Sequence, residues 1–495
     1  MIQGTTSHAG KSMLVTALCR IFSDMGYKVA PFKAQNMSLN SFVTKDGKEV
    51  ARSQVVQALA SRSEVIAEFN PILLKPKGDA TSQIILMGKP YADTKVKEYY
   101  TKYVPKFKPY IKSALNYLRE NYDIVIIEGA GSPAEINLMD KEIANMFVAK
   151  LADAPVILIA DIDRGGVFAS IYGTIKLLSM EEQNLIKMFV INKFRGDITL
   201  LKSGIEDLEK LLGLKCSGVI PYLSNLKIPA EDSLSMEKSE GGGFLDIKVI
   251  NLPKISNFTD FEVLNWEEDI HISYVSLPEQ LDNSDVIIIP GTKNTVESLK
   301  WMKESGFSDK LKQLNQVGTL IIGVCGGYQI LGRKVIDNKI ESDSIGEFEG
   351  LGLLPIQTEF LDYNKITKQI LAEFIGLPFL NSQKINGYEI HMGKTKYEAG
   401  AMPLLRIINS DVKSVNSFIG AINKNKNVFG CYIHGLWDND DFRERFIKHI
   451  YRRKGVKRKK KKTIYKSIVE ENIQKYANTV LKSINLQEIK KLVNI

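Results

Sequence analysis

Cysteine is scarce in this 495-residue chain: four residues, at positions 19, 216, 325 and 431. They form no CxxC pair and no zinc-ligand spacing, which excludes a disulfide scaffold and a zinc module; a reducing, cytoplasmic setting is expected. Long apolar runs are also missing. Ile124–Ile127, Val156–Ile159 and Val286–Ile289 fall far short of the roughly 18 residues a membrane-spanning helix needs, so no membrane partner is expected. The N-terminus, MIQGTTSHAGKS, has no basic segment followed by an apolar one, and no secretory leader is expected. No internal repeat recurs at a period of about 20–50 residues. Hydrophobic residues make up 44% and charged residues 25%, a balance that excludes disordered and collagen-like chains and leaves enough apolar side chains for two or three domains.

The net charge of +9 is local. Nine basic residues and no acidic one lie between Arg452 and Lys462, and these nine account for the whole excess. The remainder is electroneutral, so no general field attracts nucleic acid. No aromatic residue interleaves the run, so it reads as a solvated tail and no nucleic-acid partner is expected.

What the chain does contain is an alternation of short apolar runs and longer helix-like stretches. Strands are expected at Lys28–Pro31, Ile124–Ile127, Pro155–Ile159, Met188–Ile191 and Gly218–Ile220. Helices are expected between them, at Lys11–Met25, Gln54–Glu68 and Pro109–Glu120. Continuous apolar strands alternating with helices predict an α/β fold with a parallel sheet covered on both faces. The polar stretch SLSMEKSEGGGF interrupts the pattern and reads as a linker. Strands resume at Asp246–Leu252, Val286–Ile289, Thr319–Val324, Tyr388–His391 and Val428–Ile433. The expected organisation is two doubly wound domains, over 1–225 and 245–450, joined by a linker over 226–244. A basic tail follows over 451–495, where Ile468–Val493 predicts one or two amphipathic helices.

Gly4-Thr5-Thr6-Ser7-His8-Ala9-Gly10-Lys11-Ser12 runs into an apolar helix. It is a phosphate loop with five residues, rather than four, between its first glycine and Gly-Lys-Ser. Backbone N–H groups between Gly4 and Gly10 and the helix N-terminus make an anion nest. Lys11 would reach the β- and γ-phosphates of ATP, and Ser12 would offer its hydroxyl to Mg²⁺. Glu128 ends the strand Ile124–Ile127 and is the candidate for a second Mg²⁺ contact, with Asp161 and Asp163 as rivals. Lys33 closes another strand and would neutralise phosphate or a substrate carboxylate in the same crevice.

A second chemistry is written in Thr319-Leu320-Ile321-Ile322-Gly323-Val324-Cys325-Gly326-Gly327-Tyr328-Gln329. Strand, glycine turn and helix make a nucleophile elbow with Cys325 exposed at its tip. The N–H of Gly326, with a second donor from the turn at Gly291, would stabilise an oxyanion. A thiol nucleophile needs a base; His434 and His391 each stand at the end of an expected strand, and either is a candidate.

Taken together and in order, these stretches resemble the cobyric acid synthase family. The resemblance is carried by Met1-Ile2-Gln3-Gly4-Thr5, Lys33-Ala34-Gln35-Asn36-Met37, Glu128-Gly129-Ala130-Gly131-Ser132-Pro133-Ala134-Glu135-Ile136-Asn137-Leu138, Ile191-Asn192-Lys193-Phe194-Arg195-Gly196-Asp197, Pro290-Gly291-Thr292-Lys293-Asn294-Thr295 and Val324-Cys325-Gly326-Gly327-Tyr328-Gln329, over roughly residues 1–445. It implies an ATP-dependent synthetase domain joined to a class I glutaminase domain. The family amidates four peripheral carboxylates of adenosylcobyrinic acid a,c-diamide with nitrogen from L-glutamine, giving adenosylcobyric acid. By matching motif, Cys325 is implied as the glutaminase nucleophile, His434 as its base, and Asn192 as a purine-recognising asparagine.

There are departures. Class I glutaminases follow the histidine with proline and then a glutamate that orients it; here Gly435-Leu436-Trp437-Asp438 follows, so a Cys–His dyad is expected. The tail lies outside the resemblance, and its removal is expected to leave both reactions intact. Sibling readings are cobyrinic acid a,c-diamide synthase and a cell-wall lipid amidotransferase; a reading of a different class is a phosphate-loop partitioning or binding ATPase with a degenerate glutaminase domain. A homo-oligomeric assembly is left open.

Overall fold

The strand ahead of the phosphate loop is only three residues long, Ile2–Gly4, yet it stands at the centre of a sheet. In the computed structural model it pairs in parallel with Val156–Asp161, which is followed by Ile186–Phe194 and Lys215–Pro221. On its other side a parallel bridge from Ile2 to Glu128 leads to Ile124–Ile127 and Val29–Phe32. Neighbours on both sides hold so short a strand, and all three of its residues are buried. This is the parallel sheet that the continuous apolar runs predict. The structure describes residues 1–78, 80–229, 243–409, 417–459 and 462–495. Most of the expected linker, 226–244, lies outside them.

Two parts depart from the expected pattern. The helix expected at Gln54–Glu68 is Arg52–Ala60. It stops where Arg62 takes a left-handed conformation at φ 54°. Around it, Gln35–Met37, Ile72–Pro76, Thr81–Leu86 and Lys89–Lys95 form a small mixed sheet inserted into the first domain. In the second domain the ten-stranded sheet is doubly wound only in part. Ile270–Val275, Leu245–Ile250, Val286–Ile289, Leu320–Val324 and Val428–Cys431 are parallel neighbours. Beyond them the sheet continues through antiparallel strands, including the hairpin of Ile366–Phe374 with Lys384–His391. Short apolar runs do not distinguish parallel from antiparallel partners, so the sequence pattern left this half unread.

The tail is helical, as expected, but it is not set apart from the fold. Helices Tyr465–Ser483 and Leu486–Leu492 bury Val469, Ile473, Tyr476, Ala477, Val480 and Ile489 in the same apolar cluster as Leu14, Leu18 and Phe22 of the helix behind the phosphate loop. Glu470 accepts Arg20 Nη2 at 2.8 Å. Gly218 is required by close approach: a Cβ there would lie 1.9 Å from the carbonyl oxygen of Ser483. The basic run is tied down too. Arg458 is buried, its Nε 2.9 Å from Asp269 Oδ2 and its Nη2 2.7 Å from Glu267 Oε2. Lys454 pairs with Asp285 at 2.9 Å and Lys462 with Asp441 at 2.6 Å. Acidic groups of the second domain thus face a run whose charges would otherwise repel each other. The expectation that the segment after Ile450 can be removed harmlessly is therefore corrected. Ile473→Ala is expected to cost about 2–5 kcal/mol. A chain ending at Ile450 should melt well below the full-length protein, and equal melting temperatures would refute this packing.

Two candidate active sites

The phosphate loop is closed on itself by its lysine. Lys11 Nζ donates to the carbonyl oxygens of Thr6 at 2.9 Å and Gly131 at 2.8 Å. Gly4 lets the lysine cross the loop, since a Cβ there would sit 3.0 Å from Lys11 Nζ. Gly10 caps the following helix, Lys11–Asp24, in a left-handed conformation at φ 107°, which glycine adopts without a steric cost. Ser12 Oγ donates to Glu128 Oε1 at 2.7 Å, and Lys33 Nζ pairs with the same oxygen at 2.7 Å. Gln57 Nε2 donates to the other oxygen of this fully buried carboxylate.

The structure thus brings Lys11, Ser12, Lys33 and Glu128 together. The rivals are engaged elsewhere: Asp161 pairs with Lys193 at 2.7 Å, and Asp163 with Arg195 at 3.1 Å. The Ser12 hydroxyl and Glu128 carboxylate are hard oxygen donors side by side, which fits Mg²⁺, an ion that takes one or two protein ligands and completes its shell with water and phosphate. Asn192 donates from Nδ2 to the carbonyl of Ala9 at 2.9 Å and so anchors the back of the loop. Two residues went unread in the sequence. Gln57 lies on the short helix Arg52–Ala60. Asn145 holds the Glu128–Ser132 turn by donating to the carbonyl of Ala130 at 2.7 Å and accepting its N–H at 3.0 Å.

The second site lies at the end of Leu320–Val324. Cys325 has φ 51° and ψ −108°, and the helix Gly326–Ile330 starts at the next residue. A non-glycine residue at positive φ is held there only by its surroundings. The turn is packed so tightly that a Cβ at Gly327 would lie 2.0 Å from the carbonyl oxygen of Ile289. A Cβ at Gly326 would lie 3.0 Å from the backbone nitrogen of Thr292. The two-residue strand Gly291–Thr292 therefore abuts the elbow, bringing both expected oxyanion glycines to it. The thiol is not exposed, contrary to expectation. It faces a chamber of about 40 Å³ whose walls include His434, His391 and, from the first domain, Lys75.

His434 is aligned by a residue that no sequence motif singles out. Its Nδ1 lies 2.7 Å from Asp260 Oδ2, and Asp260 Oδ1 accepts the N–H of Gly435 at 3.0 Å. Asp260 sits in the 3₁₀ turn Phe258–Trp266, ahead of both cysteine and histidine in the chain. No motif marks it; the signal available was one carboxylate amid the apolar residues of Phe258-Thr259-Asp260-Phe261. Leu436 and Asp438, after the histidine, do not take this place; Asp438 pairs with Arg52 of the first domain at 3.4 Å. His391 is turned to the carbonyl of Gly393, 2.9 Å from its Nδ1, and stacks on Tyr432.

Burial opposes the charged form of His434, but the Asp260 carboxylate and Cys325 outweigh it and raise its pKa to about 10. Asp260 thus makes His434 a strong proton acceptor beside Cys325, able to hold the thiol's proton and then give it to the departing ammonia. A raised pKa means that the pairing stabilises the fold fully below about pH 6.5 and loses that contribution as pH climbs through about 10. In Asp260→Asn the histidine pKa should fall, so the alkaline limb of a glutaminase pH–rate profile should move to lower pH. An unmoved limb would show that Asp260 does not tune His434.

A model described as "CobQ/CobB/MinD/ParA nucleotide binding domain" matches residues 1–235, and one described as "CobB/CobQ-like glutamine amidotransferase domain" matches residues 246–442. A cobyric acid synthase from Clostridium botulinum (strain ATCC 19397 / Type A) is 46% identical over 100% of this chain and 99% of its own length. One from Clostridium tetani (strain Massachusetts / E88) is 46% identical with the same coverage, and one from Clostridium acetobutylicum is 44% identical over 100% of this chain and 98% of its own. The alignment runs through the basic tail that the motif resemblance left out. With a nucleotide-binding domain, a glutamine amidotransferase domain and relatives matched from end to end, the chain belongs to the cobyric acid synthase family.

Proposed function

We propose that this amidating ligase converts the b, d, e and g carboxylates of adenosylcobyrinic acid a,c-diamide to amides, yielding adenosylcobyric acid. The observation that carries the mechanism is the line Cys325–His434–Asp260 in one chain with the cluster Lys11–Ser12–Glu128. The corrin substrate rests on the end-to-end relatives.

A carboxylate resists nucleophiles because it is charged and its leaving group would be oxide. Transfer of the γ-phosphoryl group of ATP to a carboxylate oxygen gives an acyl phosphate, and Lys11 balances the negative charge of the phosphates. Mg²⁺, held by Ser12 and Glu128, would supply further charge neutralisation there. In the other domain the proton of the Cys325 thiol passes to His434 as the sulfur attacks the side-chain amide carbon of glutamine, and the N–H groups at Gly326 and Gly291 receive the oxyanion. The C–N bond then breaks, His434 protonates the leaving nitrogen, and a glutamyl thioester remains on Cys325 for water to hydrolyse. Ammonia displaces phosphate from the acyl phosphate to form the amide.

The test is incubation with ATP, Mg²⁺, glutamine and the corrin diamide, followed by mass spectrometry. Four successive exchanges of hydroxyl for amino are expected. Two exchanges on unamidated cobyrinic acid and none on the diamide would favour the diamide synthase reading.

A further inference from the structure

The interface between the two domains buries more positive charge than negative. Lys75 and Glu49 come from the inserted part of the first domain, and Lys293, Glu341 and Lys365 from the second; all five side chains are buried. Glu49 pairs with Lys75 at 2.7 Å and also with Lys365. Lys293 Nζ donates to a neutral group, Gln83 Oε1, at 3.0 Å, and Lys365 reaches the same oxygen at 3.3 Å. Despite its burial, Glu49 is held well below the usual carboxylate range by Lys365 and Lys75. Glu341 is pushed up by burial, and Lys293 is pushed down by burial and by the charges of Lys365 and Lys75. Three lysine amines thus crowd around one firmly ionised carboxylate, too little negative charge to keep all three protonated. Buried charge without a partner is costly, so the cluster is set up to receive an anion.

Its position says which anion. Lys75, Lys293, Lys365 and Glu341 line the chamber that holds Cys325 and His434. Glu341 also lines a cleft of about 510 Å³ between Lys77, Thr81 and Asp93 of the first domain and the helix Thr295–Glu304 of the second. A molecule reaching Cys325 from that cleft passes Glu341.

We propose that Lys293 and Lys365, joined by Lys75 from the synthetase domain, bind the α-carboxylate of glutamine, and that Glu341 receives its α-ammonium group. This rests on Cys325 being the glutaminase nucleophile. With the amide carbon at Cys325, the charged end of glutamine lies a few bonds away, on the scale of the chamber. A corrin carboxylate does not enter so small a space without its macrocycle. The chamber must widen to admit an amino acid, and because Lys75 belongs to the other domain, the glutamine site is complete only when the domains are docked.

The test uses the full-length protein and compares ammonia release from L-glutamine, from 4-aminobutanamide, which lacks the carboxylate, and from glutaramate, which lacks the ammonium group. The unaltered protein should prefer glutamine to 4-aminobutanamide by at least about 100-fold in kcat/KM. Lys293→Met and Lys365→Met should raise the glutamine KM about tenfold or more while kcat moves little. They should leave 4-aminobutanamide turnover nearly unchanged, so the preference collapses. Glu341→Gln should relax discrimination against glutaramate only. Ammonia-supported ADP formation reports that each variant is folded; Lys293→Gln serves if Lys293→Met is not. An undiminished preference in folded lysine variants, or no preference in the unaltered protein, overturns the assignment while leaving the glutaminase reading intact. Absence of any ammonia release from glutamine in the unaltered protein overturns both.

Discussion

Cys325→Ser should lower glutamine-supported amidation by a factor on the order of 10³ or more and leave ammonia-supported amidation at its original rate. The reasoning is spatial. Cys325, strained at φ 51°, stands at the end of Leu320–Val324 and lines a chamber together with His434. In the proposed mechanism the acyl phosphate, by contrast, forms at the phosphate loop in the other domain. A serine hydroxyl at neutral pH is far less nucleophilic than the sulfur it replaces, and the substitution changes little else. Supplying ammonium salt should bypass the lesion because only the nitrogen source has been removed. His434→Ala should behave in the same way. His391→Ala should be milder, since its Nδ1 is turned to the carbonyl of Gly393. If Cys325→Ser abolished both activities in a protein that still melted normally, the separation of the two sites would be wrong.

Lys11→Ala should have the complementary effect, removing glutamine- and ammonia-supported amidation alike. In the proposed mechanism, formation of the acyl phosphate precedes the step the two nitrogen sources share. Loss of a charge-bearing phosphate contact of this kind costs on the order of 10²–10³ in rate. Lys11 also donates to Thr6 and Gly131, bonds that hold the loop shut across the sheet. Removing it should therefore loosen the loop as well. Glutamine hydrolysis in the absence of the corrin should persist in this variant, because Cys325, His434 and Asp260 are untouched. A folded Lys11→Ala protein that kept ammonia-driven turnover would reduce the loop to a structural element.

These effects could be anticipated because the residues concerned sit in contiguous motifs. Gly10-Lys11-Ser12 and Cys325-Gly326-Gly327 announce their chemistry through local geometry, a loop before a helix and a turn after a strand. The position of Glu128 beside the loop is legible for a related reason, as a carboxylate at the end of a buried strand. Asp260 is not. It reaches His434 across 174 positions of sequence, and nothing in the periodicity of its neighbours distinguishes a carboxylate that orients an imidazole from one that caps a turn. The antiparallel half of the second sheet was hidden because strands such as Ile366–Phe374 and Met402–Asn409 carry no sign of their partners. The packing of the tail is not visible in its charge run because its counter-charges lie elsewhere in the chain. Glu267, Asp269 and Glu444, which receive Arg458, are contributed by other elements. The lysines at the domain interface look unremarkable in sequence for the same reason, since their environment exists only once the two domains meet.

The most direct measurement follows nitrogen and phosphate together. The protein would be given glutamine labelled with ¹⁵N in its side-chain amide, ATP, Mg²⁺ and the corrin diamide, in buffer containing excess unlabelled ammonium kept at a pH where little of it is free ammonia. The account predicts that each new amide carries ¹⁵N, with one ADP and one glutamate formed per amide. ADP and glutamate appearing without any labelled corrin amide would contradict it.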